Sequence, residues 1–324
     1  MKTPILLVTF NRPDHVQRVL TEILKAEPQD LYVCQDGARE GNENDRIKCQ
    51  DVRNVINELT SAYKINHTHF KLYTLFQVKN LGCGPGPAAG ITWFFEHVEQ
   101  GIILEDDAVP HPDFFGYATE LLERYKDDKD VRAIGSMNVD THSWGDGSYY
   151  FSMMNRNLCA WATWRRAWSD FDLYLRDVPW QRLNKALKQY GCTFYEREYW
   201  LDRLAEAQTD GQGGKSWDMQ FFMSIWLRNG KGIIPNVNLS SNIGTVGEGT
   251  HIMGSGNIID NIPAKPILPL KHPSSTEVQS GADREFHHRY FEPMPHTFMW
   301  IVAKINKRVK RITGHQGSWI KSQK

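Results

Sequence analysis

Long hydrophobic runs are missing from this chain. None of its apolar stretches approaches the about 20 residues that a transmembrane helix needs. The apolar run at residues 5–10 is too short for a signal peptide and leads directly into Asn11 and Arg12. We therefore expect a cytoplasmic protein.

Cysteine is scarce, and its spacing shows no pairing pattern. The chain has five cysteines and no C-x-x-C pair. An odd, scattered set argues against a disulfide framework and against a zinc site. We expect reduced and mostly buried thiols at Cys34, Cys49, Cys83, Cys159 and Cys192.

Net charge is absent as well, because 38 Lys and Arg balance 38 Asp and Glu. A balanced chain has no global attraction to nucleic acid, so we expect no nucleic-acid partner. Acidic residues are missing after Glu292, where several Lys and Arg follow. Apolar residues recur along one side of residues 296–311. This basic segment predicts an amphipathic helix that either lies on an anionic inner membrane or packs on the domain.

Strand-like and helix-like patterns alternate through the first part of the chain. Residues 5–10 predict a strand that is buried on both faces, and apolar spacing after Pro13 predicts a helix. Further strands are predicted near residues 31–35, 70–76, 101–104 and 131–134, with helices near residues 47–60, 87–97 and 112–126. This alternation is typical of an α/β fold with a mainly parallel sheet flanked by helices.

Three consecutive carboxylates follow a short apolar run at residues 102–104. Glu105, Asp106 and Asp107 would repel one another at a strand end unless a cation or a hydrogen-bonding sugar neutralised them. Such oxygen ligands suit Mg²⁺ or Mn²⁺ that carries a diphosphate. The alternative is an acidic turn on a solvated edge, but the apolar residues 108–110 that follow favour a site.

Polar residues follow three of the predicted strands, at residues 9–12, 35–37 and 105–107. In open α/β sheets, ligands bind outside the carboxyl ends of the strands. The sequence therefore predicts one binding site to which these three segments contribute.

Those segments resemble nucleotide-sugar-dependent glycosyltransferases of the GT-A fold. Residues 9–12, 35–36, 104–107 and 112–115 stand in the order found in the animal N-acetylglucosaminyltransferase I type, and residues 158–161 and 216–218 resemble its acceptor-side segments. The chain is more similar still to the bacterial HlpA-like group of haemolysin-named proteins, through the segments at residues 80–83, 93–96, 105–107 and 160–166. The resemblance covers roughly residues 3–245.

The resemblance implies a role for each acid of the triplet. Asp107 matches a ligand of Mn²⁺ or Mg²⁺, Asp106 a ribose contact, and Glu105 a contact to hydroxyls of the donor sugar. Asp36 matches a residue that accepts a hydrogen bond from uracil N3–H, which favours a UDP-sugar; the alternative is an Asp-Gly turn.

Other positions of the implied donor site are Thr9, Asn11, Arg12, Asn80 and Gly82. Arg12 is placed to pair with phosphate oxygens, or else begins a helix as a solvated charge. The segment at residues 80–87 precedes a helix whose N–H groups could face phosphates, but it lacks the Lys-Ser/Thr of a P-loop. A tight structural turn is the alternative there.

Asp218 is the candidate general base for an inverting transfer, in which a carboxylate takes the proton of the acceptor hydroxyl. Its other interpretation is a helix-start acid. Trp217 and Trp161 are candidate platforms for an acceptor sugar, although most residues of the aromatic-rich segment 149–180 should belong to the core.

We therefore predict a GT-A catalytic domain at residues 1–245, a flexible loop or lid at 246–283, and a basic amphipathic extension at 284–324. The predicted activity is metal-dependent inverting transfer from a nucleotide-sugar donor to a glycan or lipid-linked glycan acceptor of a bacterial surface polysaccharide. The protein would lie in the cytoplasm or peripherally on the inner face of the plasma membrane. The alternatives are a sugar-1-phosphate nucleotidyltransferase, disfavoured by the absence of a Gly-rich loop after the first strand, and a non-catalytic glycan-binding module.

Overall fold

The computed structural model describes residues 1–140, 142–154, 160–209, 216–244 and 262–290, together with residues 302, 305–309 and 312. The first elements are β1 (Ile5–Thr9), α1 (Pro13–Lys25), β2 (Asp30–Gln35), α2 (Glu43–Asn66), β3 (Lys71–Phe76), α3 (Pro85–His97), β4 (Gln100–Glu105), β5 (Ala108–Pro110), α4 (Pro112–Arg124) and β6 (Val131–Gly135). They are followed by β7 (Tyr149–Ser152), β8 (Ala160–Trp164), α5 (Arg165–Trp168), α6 (Trp180–Gln189), α7 (Phe194–Thr209), α8 (Asp218–Trp226), β9 (Lys231–Pro235), β10 (Ser240–Asn242) and α9 (Ser280–Tyr290).

Eight of these strands form one sheet in the order β3-β2-β1-β4-β8-β6-β9-β7. The neighbouring strands β3, β2, β1 and β4 are all parallel, as are β6 and β9. β8 is antiparallel to both β4 and β6, and β7 is antiparallel to β9. The predicted α/β class, with a mainly parallel sheet flanked by helices, is confirmed.

The position of β1 between two hydrophobic cores explains why its sequence is continuously apolar. All five residues of β1 are buried. Leu6 and Val8 face a core that includes side chains of α3, whereas Ile5 and Leu7 face a second core with α1 and α4. Since successive strand side chains point to opposite faces, a strand covered on both sides needs apolar residues throughout.

The segment before α9 is bonded to the domain. Both Ile267 N and Leu268 N donate to Asp113 Oδ2, at 2.8 and 3.1 Å. Asp283, in the first turn of α9, is buried and accepts from Ser152 Oγ and from Met153 N. The predicted boundary between residues 283 and 284 therefore falls inside α9, and the rest of the predicted loop, residues 246–261, lies outside the described residues.

The described part of the C-terminal extension packs on the domain. Arg308 Nη1 donates to Glu198 Oε1 of α7 at 2.5 Å, and the Glu198 side chain is 0% exposed. The Arg308 guanidinium also lies 5.8 Å from the centre of the Trp180 ring and 5.7 Å from that of Phe194. These contacts favour the packed alternative for residues 305–309.

Membrane contact by the extension stays a prediction. Ile305 and Ile312 are 49% and 65% exposed, so part of the extension's apolar surface faces outward. Among the helices that the structure describes, none is long and apolar enough to cross a bilayer.

We expect Arg308→Met to lower the free energy of unfolding by about 3 kcal/mol, because it removes a cation from a buried carboxylate. Lys307→Met is the matched control, since Lys307 forms a surface ion pair at 3.3 Å with Asp202 and is 58% exposed. That control should cost less than about 1 kcal/mol. Urea unfolding of both variants makes the comparison, and equal stabilities would contradict the packing of the extension on α7.

Candidate functional site

The carboxyl ends of β1, β2 and β4 meet at one edge of the sheet. Thr9 is in register with Gln35, and Val8 with Glu105. Asp36 follows Gln35 directly, and the acidic triplet begins at Glu105. The structure therefore brings together the three segments that the sequence predicts to share a site.

A short second sheet lies beside the triplet. β5 pairs with β10 in antiparallel fashion, with Ala108 opposite Asn242. Ile243 N donates to the carbonyl oxygen of Asp107 at 2.9 Å. A Cβ on Gly244 would lie 2.3 Å from Asp107 Oδ2, so only glycine allows this close approach. Residues 243–244 thus form a wall of the site next to Asp107.

Arg12 binds two acids of the triplet. Its Nη2 donates to Asp106 Oδ1 and, at 3.1 Å, to Asp107 Oδ2. Burial alone would lower the pKa of Arg12, but the two carboxylates raise it by more, so the guanidinium stays charged. The turn after β1 therefore supplies a permanent cation to the triplet.

Arg12 leaves the triplet incompletely neutralised. The other carboxylate oxygens, Asp106 Oδ2 and Asp107 Oδ1, are buried without a hydrogen-bond partner. Burial raises the pKa of Glu105, and Asp107 and Asp106 raise it further. Burial also raises the pKa of Asp106, although Arg12 opposes this shift. Unsatisfied buried carboxylate oxygens are costly, so the site favours an additional cation.

These donors fit Mn²⁺ or Mg²⁺, which prefer carboxylate oxygens. Within the described residues, however, no group of three or more His, Cys, Asp or Glu side chains is arranged to hold a metal ion. A cation at Asp107 would therefore take most of its ligands from a substrate or from water.

Asp36 is bound on both of its oxygens. Oδ1 accepts from Gly37 N at 2.9 Å and from Leu81 N at 2.8 Å. Oδ2 accepts from Asn80 Nδ2 at 2.9 Å and from Gly82 N at 3.0 Å. Burial raises the pKa of Asp36, while the three backbone N–H groups oppose that shift. Asp36 therefore fixes the segment at residues 80–82 against the end of β2.

This arrangement gives the Asp36 carboxylate partners within the chain, and its predicted contact with uracil stays a prediction. A carboxylate has about four acceptor positions, and four donors already use those of Asp36. Acceptance of a hydrogen bond from uracil N3–H would require one of these bonds to break. Asn80 Nδ2 and Gly82 N, which belong to the predicted donor site, both donate to Asp36 Oδ2.

The side chains of Thr9 and Asn11 hold the turns around the site. Thr9 is buried, and its Oγ1 donates to Cys34 O at 3.0 Å. Asn11 Nδ2 donates to Asp45 Oδ1 at 2.8 Å. Asp45 is 0% exposed and also accepts from Arg39. The predicted donor contacts of Thr9 and Asn11 are thus not evident from their side chains, which support the segment that carries Arg12.

Asp218 begins α8 and lies near the triplet. Its negative charge contributes to the raised pKa of both Glu105 and Cys83. Asp218 Oδ1 accepts from Ser216 Oγ and, at 2.9 Å, from Met219 N. The structure therefore places the predicted base at the same site as the acids.

The tryptophans predicted to bind an acceptor are core residues. Trp161 is 0% exposed and Trp217 is 4% exposed. Their rings stack on each other with centres 5.6 Å apart, and Trp161 also packs on Phe221. A ring without a solvent-facing side cannot stack on a sugar, so burial contradicts the acceptor-platform role of both side chains in this structure.

Sequence reasoning missed two neighbours of the acids. Cys83 was grouped with the buried thiols, but it is exposed, unlike Cys34, Cys49 and Cys192. The protein atoms around the Cys83 thiol still desolvate it in part and raise its pKa, and the nearby charges of Asp218, Asp36 and Glu105 add to the shift. His15 Nε2 forms a hydrogen bond with Ile243 O at 3.3 Å, and His15 is among the groups that lower the pKa of Asp106 against the effect of burial. One sequence feature indicated that Cys83 lies near the site, namely its position in the predicted loop at residues 80–87.

We expect Asp36→Asn to loosen residues 80–82. An amide has one acceptor oxygen, so the two donors that face its NH₂ group lose their partner, at a cost of about 2 kcal/mol in unfolding free energy. Hydrogen exchange at the amides of Leu81 and Gly82 should accelerate, whereas exposed Asp14→Asn should leave both rates unchanged. Unchanged exchange in Asp36→Asn would contradict the fixation of this segment by Asp36.

No family model matches this chain, and no curated protein matches it in sequence. Solved structures are similar to it only at a low level, as three of them illustrate. S. aureus TarS 1–349 has a TM-score of 0.40 and 11% identity over 74% of this chain, which spans 60% of that TarS chain. The apo UDP-glucose pyrophosphorylase structure has a TM-score of 0.38 and 9% identity over 75% of this chain and 93% of the other. For HddC from Yersinia pseudotuberculosis the TM-score is 0.30, with 9% identity over 52% of this chain and 80% of that one.

At these identities and TM-scores, none of the three structures assigns a family, an activity or a substrate to this chain. The resemblance to the N-acetylglucosaminyltransferase I type and to the HlpA-like group stays a prediction from sequence motifs.

Proposed function

We propose that this protein is a metal-dependent glycosyltransferase that moves a sugar from a nucleotide-diphosphate donor to a hydroxyl of an acceptor, with inversion. One observation carries the proposal: Asp106 and Asp107 present unpaired, buried carboxylate oxygens at the sheet edge where Arg12 and Asp218 also lie. The carboxylates suit a cation, and the permanently charged guanidinium of Arg12 suits the diphosphate that the cation would carry.

Several residues of the site would each bind a different part of the donor. Asp107 would hold the Mn²⁺ or Mg²⁺, which, when bound, stabilises negative charge on the leaving diphosphate. Arg12 would pair with phosphate oxygens, Asp106 would bind the ribose, and Glu105 would bind hydroxyls of the donor sugar. Residues 80–82, fixed by Asp36, would form a wall of the donor site.

Asp218 is the proposed general base. Within the described residues, its hydrogen bonds reach Oδ1 and none reaches Oδ2. Oδ2 would then accept the proton of the attacking hydroxyl, while Ser216 and Met219 hold the carboxylate in place. Attack from the face opposite the diphosphate gives inversion.

The base of the donor nucleotide is left open by this proposal. The preference for uridine rested on Asp36, whose acceptor positions are used by residues 37 and 80–82. A UDP-sugar stays the first donor to test because the sequence motifs resemble enzymes that use one.

The acceptor class also rests on that resemblance. We propose a glycan or lipid-linked glycan in bacterial surface polysaccharide synthesis, used by a cytoplasmic enzyme that contacts the inner membrane peripherally through its C-terminal extension. The exposed Ile305 and Ile312 are the described apolar residues available for such contact.

The two alternatives make different demands on the site. A nucleotidyltransferase would release pyrophosphate from a nucleoside triphosphate and a sugar 1-phosphate, and product assays separate this reaction from sugar transfer. A glycan-binding module needs exposed aromatic rings, yet Trp161, Trp168 and Trp217 are buried. Such a module would also not require the buried acids at residues 105–107.

The test is thermal unfolding with a panel of nucleotide-sugars of different bases, with and without Mn²⁺. A donor at 100 times its Kd should stabilise the wild type by about 2.7 kcal/mol, or on the order of 4 °C, only when Mn²⁺ is present. Asp107→Asn should lose this shift, because its amide cannot supply the anionic metal ligand. No shift with any nucleotide-sugar would remove the proposed function.

Asp218→Asn is the matched variant for the same experiment. It should keep the donor-induced shift within about 1 °C of wild type but lose at least about 100-fold in kcat with an acceptor, because general-base catalysis contributes this much. Loss of donor binding in Asp218→Asn, or wild-type turnover, would remove Asp218 as the base.

A further inference from the structure

Arg12 occupies the carboxylates that the proposed metal would need. One nitrogen, Nη2, contacts both Asp106 and Asp107. The three side chains are only 28%, 3% and 14% exposed, respectively. Interactions between charges are strong where water is largely excluded, so this ion pair influences any second charge that enters.

A divalent cation at this site would be subject to both electrostatic attraction and electrostatic repulsion. The unpaired oxygens Asp106 Oδ2 and Asp107 Oδ1 attract it, because the triplet keeps an excess of negative charge. The guanidinium repels it, because both would share the carboxylate of Asp107. The attraction and the repulsion come from side chains in direct contact, so a movement of Arg12 changes the affinity for the cation.

A diphosphate offers Arg12 another partner. Guanidinium groups pair with phosphate oxygens through two parallel hydrogen bonds, whereas here a single nitrogen of Arg12 is shared between two carboxylates. The backbone at Arg12 is held, because it precedes Pro13 at the start of α1 and follows Asn11, which bonds to buried Asp45. Only the flexible side chain of Arg12 is therefore required to move.

We propose that Arg12 couples metal binding to diphosphate binding. Without a diphosphate, it holds Asp106 and Asp107 together and weakens the affinity of Asp107 for Mn²⁺. With a diphosphate, it transfers to the phosphate oxygens, which frees Asp107 and makes each ligand bind more tightly in the presence of the other. The inference rests on the proposed function, since it assumes a cation at Asp107 and a diphosphate donor.

The experiment measures the Kd for Mn²⁺ by electron paramagnetic resonance of free Mn²⁺, on the full chain, with and without inorganic pyrophosphate at equal free Mn²⁺. Pyrophosphate should tighten Mn²⁺ binding to the wild type by at least about 10-fold. Arg12→Met, which keeps the length of the stem, should bind Mn²⁺ alone about 5-fold more tightly than wild type, and pyrophosphate should change its affinity less than about 3-fold.

Two variants control for loss of an ion pair and for folding. Arg132→Met removes another buried guanidinium, which pairs with Asp170. Arg132 lies near the N-terminal end of β6, at the opposite edge of the sheet, so this variant should leave Mn²⁺ binding unchanged. Arg12→Lys keeps a cation, so its affinity for Mn²⁺ alone should stay near wild type. Its pyrophosphate enhancement should fall about 3-fold, because an ammonium group cannot pair bidentately.

The outcomes separate the coupling from the proposed function. If Arg12→Met binds Mn²⁺ alone no more tightly than wild type, while Asp107→Asn loses binding, the coupling is wrong and the metal site stands. If Arg12→Met does not fold, an unchanged pyrophosphate enhancement in Arg12→Lys overturns the coupling. If neither wild type nor Arg12→Met binds Mn²⁺ with pyrophosphate, both the coupling and the metal-dependent function are wrong.

Discussion

The contact of one guanidinium with two carboxylates is the interaction on which the site depends. Three acids in succession at the end of a buried strand would repel one another, and Arg12 offsets only part of their charge. Two carboxylate oxygens of the triplet also lie buried without a hydrogen-bond partner. Under the proposed function, this excess negative charge attracts a cation, and the cation together with Arg12 would offset the charge of a diphosphate.

The fold makes this concentration of charge possible. Because β1, β2 and β4 are parallel, their polar ends lie at one edge, while their apolar residues fill the cores on both faces. Side chains near that edge support its turns: Asn11 binds Asp45, and Asp36 binds residues 80–82. The stability of the sheet therefore holds the charged groups in place against their mutual repulsion.

Local sequence patterns predicted the alternating elements around β1, β2 and β4 and the edge where the acids lie, because strand burial and strand ends are local features. They did not predict that β8 inserts antiparallel between β4 and β6, since that pairing joins distant segments. Three of the four hydrogen bonds to Asp36 come from residues 44 to 46 positions further along. Trp161 faces the core because of tertiary packing. Residue type alone could not distinguish these structural roles from ligand contacts.

The most direct test of the cation site uses the paramagnetism of Mn²⁺. Backbone amide resonances of the ¹⁵N-labelled protein would be followed as Mn²⁺ is added with pyrophosphate, and Mg²⁺ would serve as the diamagnetic reference. We expect selective broadening at Arg12, Asp106, Asp107 and Gly244, with much weaker broadening at Arg132 on the opposite edge of the sheet. Broadening centred elsewhere, or none at these residues, would contradict the claim that the strand-end acids form the metal and diphosphate site.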